Sequence, residues 1–142
     1  MFTQTLEQSP KNRRGGGQTS HLLLAPAQFS SRHLAITWVE GAQGSRQSLH
    51  SHADSEQVYV IVAGRGRMIV DGEQQHVGTG TMVLIPPGAQ HAIHNPGSEE
   101  LVYVTATSPP SVNLMAFVTR FTSTCRSLPQ SPTSKSGTSG AM

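Results

Sequence analysis

Two stretches decide the fold: GSRQSLHSHADSEQVYVIVAG at positions 44–64 and GTMVLIPPGAQHAIHN at positions 80–95. The first carries His50-Ser51-His52 and then runs from Gln57 through Val58-Tyr59-Val60-Ile61-Val62 to Gly64. Residues i and i+2 of an extended chain share a face, so His50 and His52 can reach one ion as adjacent ligands. In the second stretch Pro86-Pro87-Gly88 breaks one strand before the next begins, and His91 opens that next strand. Gly64 and Gly80 stand where tight corners are needed.

The same pattern continues outward. Short runs rich in Val, Ile, Leu and Thr predict strands at Leu22–Ala25, Leu34–Val39, Gln47–His52, Gln57–Val62, Gly66–Val70, Gln74–Val77, Met82–Ile85, Ala89–His94, Leu101–Thr107 and Asn113–Val118. Asp71-Gly72 predicts a two-residue hairpin turn with positive φ at both positions. No segment holds a 3.6-residue apolar period. Many short, closely spaced strands predict one all-β sandwich or barrel. The domain is expected over 21–120, with disordered or low-complexity tails at 1–20 and 121–142.

Charge and composition narrow the function. Between Leu34 and Val118 three basic residues (Arg46, Arg65, Arg67) face seven acidic ones (Glu40, Asp54, Glu56, Asp71, Glu73, Glu99, Glu100), a net of −4. The positive charge sits toward the two ends, which argues against nucleic acid as a partner. No stretch approaches the ~20 apolar residues of a membrane span, and no apolar segment follows Arg13-Arg14 as a secretory signal would require. Cys125 is the single cysteine, so no internal disulfide can form. A cytoplasmic location is the default expectation.

The two stretches together resemble the cupin superfamily. Gly44, His50, His52, Gln57 and Gly64 fall at the spacing of its first motif, and Gly80, Pro86, Gly88, His91 and Asn95 at that of its second. The resemblance covers roughly residues 35–110 and implies a small single-domain jelly-roll β-barrel. Within it His50, His52, Gln57 and His91 would hold one divalent metal ion (Zn, Ni, Mn or Fe). The family usually has Glu where Gln57 stands. The six-residue spacing back from Gly64 selects Gln57, while Glu56, three residues after His52, stays open as an alternative because alternation alone does not exclude it. Three neutral imidazoles and an amide would leave the ion its full charge, raising Lewis acidity and suiting oxygen polarisation better than oxidation of Fe(II) by O₂.

The ligand set is also similar to that of small cupins that open the ring of unsaturated uronates. Those enzymes carry an acid on the last strand and an arginine after the following Pro-Pro; the aligned positions here are Thr105 and Ser111. Substrate is therefore expected only as a small polar or carboxylated molecule, either turned over by the metal or bound by a non-catalytic sensing module. Tyr59 and Tyr103 are candidate proton donors, and Arg46 and Trp38 candidate substrate contacts. His94 should point away from the ligands, and His21, His33 and His76 should lie on the surface. Leu22-Leu23-Leu24 and Leu114–Val118 are candidate edges for a homodimer.

Overall fold

The computed structural model describes residues 1–26 and 28–110. Among these residues nine strands form: β1 (Lys11–Arg14), β2 (Gln18–Leu24), β3 (Ala35–Gly41), β4 (Glu56–Ala63), β5 (Arg65–Val70), β6 (Glu73–Gly78), β7 (Met82–Ile85), β8 (His91–His94) and β9 (Leu101–Ser108). All pairings are antiparallel, in a six-stranded sheet of order β1-β2-β3-β9-β4-β7 and a three-stranded sheet of order β6-β5-β8. Among the described residues no α-helix is present, and no helix is long and apolar enough to cross a membrane.

Period-two alternation explains the strands. On β4, Gln57, Tyr59 and Ile61 are buried while Glu56, Val60 and Val62 are exposed. On β3, Ala35, Thr37 and Val39 point inward and Ile36, Trp38 and Glu40 outward. The core lies between the two sheets: Val39, Tyr59, Ile61, Ile85, Leu101 and Tyr103 from one meet Met68, Val77 and Ile93 from the other. The predicted turn is present, with Asp71 at φ 46° and Gly72 at φ 84°, joining the paired ends Val70 and Glu73.

The expected closed barrel is not what the hydrogen bonds describe. The two sheets face one another, and the second edge of β8 meets an irregular segment instead of a full strand. That segment, predicted as the strand Gln47–His52, makes only two bridges, Arg46 with His94 and His50 with His91. It takes four steps between them while β8 takes three, so one extra residue bulges out at Ser48 and Leu49, both exposed.

The expected disordered stretch 1–20 is also corrected. Lys11–Arg14 pairs with Gln18–His21 as a hairpin around Gly15-Gly16-Gly17. The glycine run is a docking device here. A Cβ on Gly16, whose φ is +77°, would collide with the Arg46 carbonyl oxygen, whereas Gly16 O accepts from Arg46 N at 2.8 Å. With β1 on one side and β3 on the other, β2 is not a free edge, and Leu22 faces inward. His21, expected on the surface, is buried: Nε2 lies 3.3 Å from Glu40 Oε2 and Nδ1 3.3 Å from the Leu6 carbonyl. The predicted strand Asn113–Val118, the edge Leu114–Val118, Ser111, Cys125 and the tail 121–142 lie outside the described residues.

Asn95, the last fixed residue of the second stretch, is a structural pin. Its buried Nδ2 donates to the carbonyls of Gly41 (3.1 Å), Ala42 (3.2 Å) and Glu99 (2.7 Å), and Oδ1 accepts from Gly97 N at 3.0 Å. Removing it strands the buried Gly41 carbonyl at the base of the segment that carries His50. Asn95→Ala should therefore lower unfolding free energy by about 2–3 kcal/mol in urea titration. An unchanged midpoint would show that the pin holds nothing.

Candidate metal centre and cavity

Two backbone hydrogen bonds bring the sequence motifs together. His50 N donates to His91 O at 3.1 Å and His91 N to His50 O at 2.8 Å. The imidazoles of His50 and His91 consequently stand 4.2 Å apart between centroids, with His52 at 5.1 and 5.4 Å from them. One ring nitrogen from each lies within 4.8 Å of the others, so the three histidines could hold a metal ion. His91 is fully buried; His50 and His52 are half-buried and open toward the cavity.

The second ring nitrogens set the tautomers. His50 Nδ1 lies 2.8 Å from the Ser48 carbonyl and His91 Nδ1 2.9 Å from the Ala89 carbonyl. A carbonyl can only accept, so each Nδ1 carries the proton and each Nε2 keeps its lone pair for another partner. This is the arrangement metal-ligating histidines take. At His91 the partner facing that lone pair is Gln57 Oε1, at 3.1 Å, while Gln57 Nε2 donates to Thr107 Oγ1 at 2.8 Å. Two acceptors thus converge, which is the donor set a cation requires. The residues fit a divalent ion. Glu56, the alternative fourth ligand, is exposed on the opposite face of β4.

Electrostatics keep the imidazoles neutral. Burial, then the neighbouring His50, His91 and Arg14 charges, push His52 down to about 4. Burial also lowers His50 and His91, partly offset by their bonds to the Ser48 and Ala89 carbonyls. Neutral imidazole is the ligating form, so the site is ready for an ion at neutral pH without displacing protons.

A cavity of about 450 Å³ adjoins this cluster, a size typical of small-molecule sites. Tyr59 and Tyr103 line it, stacked at 5.2 Å. Burial pushes Tyr59 up to about 12, and its hydroxyl donates to Gln47 Oε1 at 3.2 Å. Burial, then Tyr59, raises Tyr103 as well, while the Gln18 side chain facing its hydroxyl partly offsets the rise.

The two substrate-contact candidates are not in the cavity. Trp38 points to the outer face of β3, opposite the lining residues Thr37 and Val39, because alternation puts it there. Arg46 is exposed in the bulged segment and does not line the cavity. His94, half-buried, lies 3.4 Å from Arg67 and outside the cluster. Sequence reasoning missed Asn12, Arg14, Ser20, Gln47 and Thr107 as lining residues. The signal was present in the period-two polar alternation Asn12/Arg14, hidden by the glycine run beside it.

The lowered histidines make a stability prediction for the metal-free protein. Unfolded histidine takes up a proton near pH 6.5, whereas folded His52 resists until about 4. The unfolded chain binds more protons across that window, so stability falls as pH drops through it. Thermal midpoints measured from pH 7 to 4 should decline more for wild type than for His52→Asn. Parallel curves would contradict the burial of this imidazole.

Comparison with known proteins agrees with this architecture. The family model described as "Cupin domain" matches residues 37–107, half of the 142-residue chain. An uncharacterized protein of Methanocaldococcus jannaschii is 40% identical over 67 residues, covering 47% of this chain and 54% of that protein, so the chain spans about half the length of this curated relative. An RmlC-like cupin from Shewanella frigidimarina superposes with a TM-score of 0.68 at 21% identity, covering 80% of this chain and 95% of that one. A predicted oxalate decarboxylase from Thermotoga maritima gives 0.69 at 18% identity, covering 78% and 100%. At these identities the likeness shows the fold alone. From the matched motifs, the two-sheet core and the converged histidines, we conclude that the chain belongs to the cupin family.

Proposed function

We propose that this cupin holds one divalent metal ion through the Nε2 atoms of His50, His52 and His91 with Gln57 Oε1, and acts on a small polar or carboxylated molecule bound in the adjoining cavity. The observation that carries the reading is the approach of His91 Nε2 and Gln57 Oε1 to 3.1 Å with both other ends already committed, to Ala89 O and Thr107 Oγ1. The amide turned by 180° would instead offer an N–H to His91, so the ion and the flip are competing ways to satisfy the same nitrogen.

A divalent ion there supplies Lewis acidity, undiminished by any anionic ligand. The chain's own residues do the rest. Ser48 O and Ala89 O fix two rings, and Thr107 fixes the amide. Gln47 orders the Tyr59 hydroxyl and the backbone of Ile93 at once. Tyr59 packs roughly perpendicular to the His91 ring, with centroids 5.9 Å apart.

A second reading, a non-catalytic binding or sensing module, is favoured by one observation. Among the described residues no carboxylate lines the cavity, and both lining tyrosines hold their protons well above neutral pH. Apart from the imidazoles, no lining side chain is tuned to move a proton at pH 7. This reading expects a bound molecule to be recovered unchanged.

Elemental mass spectrometry of protein purified without added metal tests the site. Near-stoichiometric metal is expected in wild type and Glu56→Ala, less in Gln57→Ala, and none in His91→Ala. Retention in Gln57→Ala with loss in Glu56→Ala would mean that the acid is the ligand.

A further inference from the structure

Among the described residues, Arg14 is the one permanently charged side chain that lines the cavity. It sits at the mouth beside His50, Gln47 and Gly15, on a face that no Asp or Glu shares among the described residues. Its Nε donates to Ser20 Oγ at 3.0 Å, which orients the guanidinium and, among the described residues, leaves both terminal nitrogens uncommitted. Among the described residues it forms no ion pair.

Its placement is built into the fold. The Gly15-Gly16-Gly17 turn is clamped to the segment leading to Gln47 and His50, through Arg46 N to Gly16 O at 2.8 Å and Ala42 N to Gly17 O at 3.1 Å. A side chain at Gly16 would collide with the Arg46 carbonyl, so only glycine lets the hairpin sit this close. Arg14 is thereby tied to the same segment that supplies His50.

We propose that Arg14 is the anion-recognising residue of this cavity and that its ligand is a small hydroxylated carboxylate. The inference rests on reading the cavity as a ligand site and adds the substrate class to that reading. A carboxylate matches the two free guanidinium nitrogens bidentately. Deeper in, the Thr37 and Thr105 hydroxyls offer neutral hydrogen bonds suited to hydroxyl groups, not to a second charge. A cavity of about 450 Å³ accommodates a molecule of sugar-acid size. With positive charge at its mouth and no carboxylate from the described residues within, the cavity disfavours cationic molecules.

The test uses the full chain dialysed free of metal, so that chelation by the probe contributes nothing. D-gluconate and its uncharged analogue sorbitol are titrated calorimetrically against wild type, Arg14→Gln and Arg14→Lys. Wild type should prefer gluconate by about tenfold or more, Arg14→Gln should lose that preference, and Arg14→Lys should keep part of it, having the charge without the fork. No preference in wild type, or a full preference in Arg14→Gln, overturns the inference. Zinc titration of the same samples separates the two readings. Intact zinc binding with no gluconate preference sinks only the anion inference. A gluconate preference lost with Arg14 in a protein that takes no zinc sinks only the metal reading.

Discussion

Everything at the site depends on the reciprocal backbone pair between His50 and His91. Forty-one positions apart in sequence, these residues exchange both hydrogen bonds, and the exchange fixes where two imidazoles stand. The pair would be weak alone, at the margin of a three-stranded sheet. Asn95 anchors one flank to the carbonyls of Gly41 and Ala42, and the Asp71-Gly72 turn anchors the other, with Asp71 Oδ1 accepting from Gln90 N at 2.8 Å. The bulge at Ser48 and Leu49 then turns from an irregularity into a device, because it aims the Ser48 carbonyl at His50 Nδ1.

The donor chemistry follows from these anchors. Backbone carbonyls take the Nδ1 protons of His50 and His91, and Thr107 takes the Gln57 amide hydrogen. What remains pointing inward is a set of lone pairs. A glutamate at position 57 would bring charge compensation along with its oxygen; glutamine brings the oxygen alone. With an ion bound, its uncompensated charge would act together with Arg14 to favour anionic over cationic molecules.

Much of this was legible in the residues, for reasons that differ by element. The strands β4, β5, β7 and β9 follow from period-two runs of Val, Ile, Leu and Thr, and the hairpin at Asp71-Gly72 follows from local backbone sterics. The choice between Gln57 and Glu56 turned on strand phase, and the structure places Gln57 inside and Glu56 outside. The N-terminal hairpin was hard to read, because Lys11–Arg14 is polar throughout, its alternation is masked by the glycine run beside it, and it gains its order by docking onto residues 42–46, a long-range effect. The same omission moved the arginine at the cavity from Arg14 to Arg46. Trp38 failed for a simpler reason: one position along a strand changes the face. Barrel closure was an expectation of resemblance, and the two prolines after β7 together with the bulge before His52 leave two facing sheets instead.

The most direct measurement of the central claim is the ¹⁵N signature of the histidine side chains during zinc addition to the metal-free protein. The account predicts that Nε2 of His50, His52 and His91 shifts together at one equivalent, while Nδ1 of His50 and His91 stays protonated against its carbonyl and His33 and His76 do not move. Shifts confined to the exposed histidines, or none at any of the three, would contradict it.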